Sequence, residues 1–288
     1  MRDSSLMVRA WAPLTTLRHN VPCGAMNSRI RDCLVRCLLL AATTSSSAFA
    51  AERQASLSVG VASNMKPAFE EIVREYQARH RGISVIPIYG ASGTFLAQIS
   101  NGAPLDLFLS ADAEFPAKVV ERGLADGKAF TYAYGKLVVW VPKSSPLDLD
   151  AKGFAALADP SVRKIAMANP EVAPYGRAAR EALEKAGLLR QLQDRIVYGQ
   201  NVSQAAQFVQ SGNAQAGLVP LSLANVPPLS VDGRAWIVPA SDYAPIEQAG
   251  VILKSSAHLA LARELVSFIT GRDGAKILEK HGYVLPTR

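Results

Sequence analysis

Apolar residues in this chain follow two alternating patterns. Short continuous apolar runs read as buried strands, and stretches with an apolar residue every three or four positions read as covering helices. LSVGVA, ISVIPIY, DLFLSA, KLVVWVP, KIAMAN, RIVYG, AGLVP and AWIVP are strand-like, as is 248–254. The spacing predicts a helix over 66–79, where Phe69, Ile72, Val73 and Tyr76 share a face, and further helices over 94–101, 114–122, 175–185, 203–211, 259–270 and 274–280. Gly123, Gly187 and Gly212 stop three of them. Strands alternating with helices imply an α/β protein with parallel sheets covered on both faces. In such sheets a ligand sits beyond the carboxyl ends of the strands.

Four of the strands run into a small polar turn and then a helix. LSVGVA meets Ser63-Asn64, and ISVIPIYG meets Ala91-Ser92-Gly93-Thr94. KIAMANP leads to Tyr175-Gly176, and RIVYGQ to Asn201-Val202-Ser203. Each turn aims backbone N–H groups and a hydroxyl or amide at one point. A helix N-terminus carries about half a positive charge, so such turns suit anions. None of the four contains Lys or Arg, which points to a compact oxyanion held by hydrogen bonds and helix ends rather than by ion pairs. Taken singly, helix capping worth about 1 kcal/mol explains Ser63-Asn64, Tyr175-Gly176 and Asn201-Val202-Ser203 better than a ligand site does. Gly90 and Gly93, flanking Ser92, let backbone approach a ligand closely. G-x-S-x-G is not completed there, so this is no nucleophile elbow.

Two turns precede KLVVWVP and two follow it. This arrangement predicts two facing lobes, 51–134 with 245–288 and 135–244. The chain would cross between them near 134–136 and return near 244–248, a hinge architecture.

The first 50 residues read as a leader. Met26-Asn27-Ser28-Arg29-Ile30-Arg31 is a basic start, an apolar run follows around 34–42, and Ala48-Phe49-Ala50 is an A-x-A site with cleavage expected after Ala50. Residues before Met26 read as an upstream start-site artefact. The run is too short for a stable membrane anchor. A secretory signal peptide places the mature chain in the periplasm.

The leader changes the composition. Cys23, Cys33 and Cys37 all lie inside it, so the remainder offers no disulfide framework and no Cys metal site. Removing its six Arg and two Asp from 31 basic and 24 acidic residues reduces the net charge from +7 to +3. No basic cluster interleaved with aromatics is left, which argues against nucleic acid as a partner. His80, His258 and His281 are far apart and near helix ends, a poor pattern for a metal or a catalytic base. Asp106 and Asp112 bracket an apolar strand and read as a structural acid and a helix cap.

VASNMKPAFEEI, YGASGTFLAQISNGAPLDLFLSAD, YGRAAREALEKAGL and QNVSQAAQFVQSGNAQAGLV together resemble the periplasmic molybdate-binding proteins of ABC transporters. The likeness covers nearly all of 56–288. It implies a type II periplasmic-binding-protein fold, with two parallel-sheet α/β lobes on a two-crossing hinge that close on a tetrahedral oxyanion. It further implies no catalysis, no resident cofactor, molybdate or tungstate as ligand, and ABC permease subunits as partners. A monomer is expected, since nothing in the sequence suggests a symmetric apolar patch. Carried over by motif, the oxyanion-binding residues are Ser63, Asn64 and Ser92 on one lobe, and the backbone N–H groups of Tyr175 and Val202 on the other. Some members place a tyrosine after the strand that here reads Gly217-Leu218-Val219. This chain has Pro220 there, which has neither an N–H nor a hydroxyl, and Asn64 is expected to compensate. A sulfate receptor, or an enzyme on the same fold, is the alternative. Phosphate is disfavoured, since its protonated form needs an acceptor such as Asp and none lies in the turns.

Overall fold

A computed structural model describes residues 55–287. The leader and its cleavage site lie outside the described residues. Ten strands form two five-stranded sheets. Sheet 1 contains β1 (Ala55–Ala62), β2 (Ile83–Gly90), β3 (Leu107–Leu109), β4 (Phe130–Gly135) and β10 (Ile246–Ile252), in the order β2-β1-β3-β10-β4. Sheet 2 contains β5 (Leu137–Pro142), β6 (Ile165–Ala168), β7 (Ile196–Gly199), β8 (Ala216–Pro220) and β9 (Gly233–Ile237), in the order β7-β6-β8-β5-β9. Lys136 alone separates β4 from β5 where the chain leaves sheet 1. It returns between β9 and β10.

The expectation of purely parallel sheets needs correction. In each sheet three strands run parallel, β2-β1-β3 and β7-β6-β8. The fourth runs against them: β10 is antiparallel to β3 and β4, and β5 to β8 and β9. Both reversed strands enter their sheet from the other one, without a covering βαβ crossover to hold them parallel. β4 was not anticipated. FTYAYG carries aromatics between small and polar residues and lacks the continuous apolar run of its neighbours.

Among the described residues, seven helices of eight residues or more cover the sheets: α1 (Lys66–Arg79), α2 (Ser92–Ser100), α3 (Glu114–Glu121), α4 (Pro174–Lys185), α5 (Val202–Gln210), α6 (Leu259–Thr270) and α7 (Arg272–Lys280). Sheet 1 has a core on each face. Phe69, Ile72 and Tyr76 of α1 pack with Leu265 and Ile269 of α6 over Leu57, Val59 and Val61. Phe95 and Ile99 of α2 pack with Phe115 and Val119 of α3 around Phe108 and Val251. Each such side chain contributes about 1.5–3 kcal/mol on burial. In sheet 2, Val138, Val139, Met167 and Leu218 pack with Ala179, Leu183 and Val209. Burial on both faces explains why these strands read as uninterrupted apolar runs.

Asp106 and Asp112 take the structural roles read from their positions. Asp106 accepts from the Ser58 N–H at 2.7 Å and from the Ser256 hydroxyl at 2.6 Å. Asp112 Oδ1 accepts from the Phe115 N–H at 3.1 Å, in the first turn of α3.

Candidate functional site

All four polar turns open onto one small cavity at the carboxyl ends of β1, β2, β6 and β7. Ser63, Asn64, Ser92, Tyr175 and Val202 line it, together with Gly90, Ala111, Pro174 and Asn201. The centre of a water-sized sphere is free over only about 10 Å³ there, about the room of a single water, so the site as it stands is far too small for an organic metabolite. A larger hollow of about 580 Å³, bordered by Thr131, Arg272 and Lys276, takes in none of the turns. The five residues expected from sequence are all at most 5% exposed.

The donors follow from hydrogen-bond accounting. On α5, Asn201 Oδ1 caps the N–H groups of Ser203 and Gln204, at 3.0 and 3.1 Å. This leaves the Val202 N–H as the donor of that turn without an intrahelical acceptor. On α4, Pro174 has no N–H and the Arg177 N–H binds Ala173 O, so Tyr175 and Gly176 present theirs. Gly176 is required by space, since a Cβ there would lie 2.3 Å from Ala168 O. On α2, the Gly93 N–H donates across to Val172 O at 2.9 Å, which ties the two halves of the site together. Ser92 Oγ accepts from the Ala111 N–H at 3.0 Å, so its own proton remains available to a ligand.

Ser63 and Asn64 differ from the simplest expectation. Ser63 Oγ donates to Gly90 O at 3.0 Å. Asn64 spends both amide hydrogens, on Gln248 Oε1 and Tyr283 Oη, each at 2.8 Å. Its side chain therefore serves as a brace, and the donor it retains for a ligand is its backbone N–H. Ser222 Oγ, from the other half, donates to Asn64 O at 2.8 Å. Gln248, Ser222 and Tyr283 escaped the sequence reading, because nothing local marks a buried polar residue whose partners are distant in the chain. Pro220 does not line the cavity.

Among the described residues, no Lys, Arg, Asp or Glu lines the cavity. Arg177, two residues beyond Tyr175, turns away to pair with Asp112 and lies 3.4 Å from Glu114. Burial pushes the Tyr175 phenol well above its ordinary value, so it stays neutral beside the site. Its ring reaches the strand crossing, where a Cβ on Gly135 would lie 1.9 Å from the Tyr175 hydroxyl. The cavity thus offers donors and helix ends, without fixed charge and without a general base.

The family model of the bacterial extracellular solute-binding proteins matches residues 57–284. The chain belongs to that family. A relative, the molybdate-binding protein ModA of Rhodobacter capsulatus, is 39% identical over 225 residues, covering 78% of this chain and 86% of its own. The solved periplasmic molybdate-binding protein of Azotobacter vinelandii is 39% identical, with a TM-score of 0.75, over 80% of this chain and 100% of its own. The sulfate-binding protein SubI of Mycobacterium tuberculosis is 17% identical with a TM-score of 0.67, a likeness of fold alone. For this solute-binding protein the type II fold read from the four motifs is confirmed. The geometry further brings all four turns to one point.

Proposed function

We propose that this solute-binding protein captures molybdate, and tungstate with it, outside the cytoplasmic membrane and delivers it as a monomer to an ABC permease. The carrying observation is a small cavity at the meeting of the four turns, lined by hydrogen-bond donors with no charged side chain among the described residues. A dianion that stays deprotonated needs donors only, and an acceptor facing it would repel. The proposed donors are the N–H groups of Ser63, Asn64, Ser92, Tyr175 and Val202, with the Ser92 hydroxyl. Ser63 Oγ, already bonded to Gly90 O, holds its turn in place. Three helix N-termini add their dipoles. The names of the similar relatives from Rhodobacter and Azotobacter support the same ligand.

A rigid donor set also measures size. Molybdate and tungstate have longer metal–oxygen bonds than the S–O bonds of sulfate, so a cavity cut for them leaves sulfate poorly contacted. Neutral binding eases release at the permease, since no ion pair between a side chain and the ligand has to be broken.

A thermal-shift titration of the purified protein with molybdate, tungstate, sulfate and phosphate tests this reading. Ligand at about a thousand times its Kd stabilises the fold by about 4 kcal/mol. Molybdate and tungstate are expected to raise Tm and sulfate to leave it in place. A shift with sulfate alone would overturn the ligand, and no shift with any oxyanion would overturn the oxyanion site.

A further inference from the structure

One buried amide lies outside the cavity lining and still touches Asn64 of the first sheet-1 turn and Ala111, the residue that bonds Ser92 of the second. Gln248, on β10, is 0% exposed. It sits at a bulge, where the register against β4 shifts between Gln248 and Ala249. Bulges re-aim a side chain from the direction its pleat would dictate. Here the side chain reaches the floor of the site. Oε1 accepts from Asn64 Nδ2 at 2.8 Å, with the Tyr132 hydroxyl at 3.5 Å. Nε2 stands 3.4 Å from Ala111 O and 3.5 Å from Ile246 O. The same Ala111 holds Ser92 Oγ through its N–H. Gln248 is thus one bond from Asn64 and two from the Ser92 hydroxyl. The demands at its two ends are opposite: Asn64 Nδ2 needs an acceptor and Ala111 O needs a donor. A carboxamide meets both, and neither an apolar side chain nor a carboxylate does.

We propose that Gln248 is a positioning residue for oxyanion selectivity, locking the Asn64 and Ala111 turns so that their donors keep a spacing suited to molybdate. The proposal rests on the molybdate reading above. Donors held in a satisfied buried network cannot follow a smaller ion inward, so sulfate is left with long contacts. Loosening the network costs molybdate its fit and lets the donors relax onto sulfate. Gln248 therefore governs the ratio of the two affinities. A residue that merely held the fold together would change Tm and leave that ratio alone.

The test is calorimetric titration of molybdate and sulfate into the wild-type protein, Gln248→Met and Gln248→Glu. Methionine fills a similar volume without polar ends. Gln248→Met is expected to lose molybdate affinity by about tenfold or more, the cost of two unmet buried partners, with a smaller loss for sulfate, so the ratio narrows. Gln248→Glu is expected to behave like Gln248→Met at pH 8. It should recover towards wild type at lower pH, because burial raises a carboxyl's pKa and the protonated group can accept from Asn64 and donate to Ala111 O. Its charge acts equally on two dianions, so the ratio isolates positioning from repulsion. A lowered Tm with an unchanged ratio in Gln248→Met overturns the proposal. If Gln248→Met does not fold, a wild-type ratio in Gln248→Glu at pH 8 and at lower pH does the same. A wild-type protein that binds neither ion overturns the molybdate reading and this proposal together, whereas a selective wild type with unaltered variants overturns this proposal alone.

Discussion

Val202 offers a clean test of a single backbone donor. It is the first residue of α5, where proline is tolerated because the N–H there has no intrahelical partner. The preceding Asn201 has φ −152° and ψ 176°, the extended conformation that a following proline requires. Val202→Pro should therefore delete one N–H from the site and leave the helix intact. We expect molybdate binding to weaken by about 1–3 kcal/mol, with Tm of the ligand-free protein within a few degrees of wild type. Titration calorimetry beside a melting curve checks both, and unchanged affinity would remove Val202 from the site. Asn64 teaches a complementary lesson. A polar side chain beside a cavity is not automatically a ligand, since its donors can already be spent.

The elements that carry the turns are held by contacts far from the cavity. α1, which follows the Ser63-Asn64 turn, is tied to the end of α7 through Glu71. Its carboxylate bonds Lys280 Nζ at 2.8 Å and His281 Nε2 at 2.9 Å. The hydrogen bond from Lys280 holds the Glu71 carboxyl below its ordinary value of 4.5, against the opposing pull of desolvation. A carboxyl lowered in the folded state contributes stability above its unfolded value, and that contribution is lost as pH falls through the folded one. Glu71→Gln should therefore lower Tm at pH 7, and its melting curve should converge on wild type as the pH is taken below about 4. A Tm difference that persists at pH 3 would mean that packing, rather than charge, carries the effect. Oxyanion affinity at neutral pH should change little, because Glu71 does not line the cavity.

At the scale of the molecule, the site exists only while its two halves are together. The Gly93–Val172 bond joins them, as do the bond from Ser222 to Asn64 and the pair between Arg177 of α4 and Asp112. The Arg177 guanidinium also stands 5.1 Å from the centre of the Phe115 ring. Burial pushes the Asp112 carboxyl up, and the Phe115 N–H and the Arg177 charge work against that. Without Arg177, a buried carboxylate would face the joined state alone. Arg177→Gln should weaken molybdate binding by roughly fivefold or more, because part of the ligand's differential affinity would go into holding the halves together. The loss should fall mostly on the dissociation rate, measured by stopped flow after chelation or dilution. An unchanged rate would show that the pair does not contribute to closure.

The alternation of strands and helices, and the four turns at strand ends, were legible in the sequence because their causes are local. A strand buried on both faces is a run of apolar residues, and a helix start shows its cap and its glycine nearby. Even there α2 begins at Ser92 rather than Thr94, since Ser92 itself enters the helix. Strand direction was not legible: β5 and β10 run antiparallel because each enters from the other sheet, and no local pattern records that. Hydrogen-bond commitment was not legible either. Whether Asn64 is a ligand or a brace depends on Gln248, 184 residues away, and on Tyr283, 219 away. The sequence by itself determined which elements form and which turns carry donors without charge. Tertiary structure alone decided which donors remain unspent, because each hydrogen can be given only once and folding chooses its acceptor.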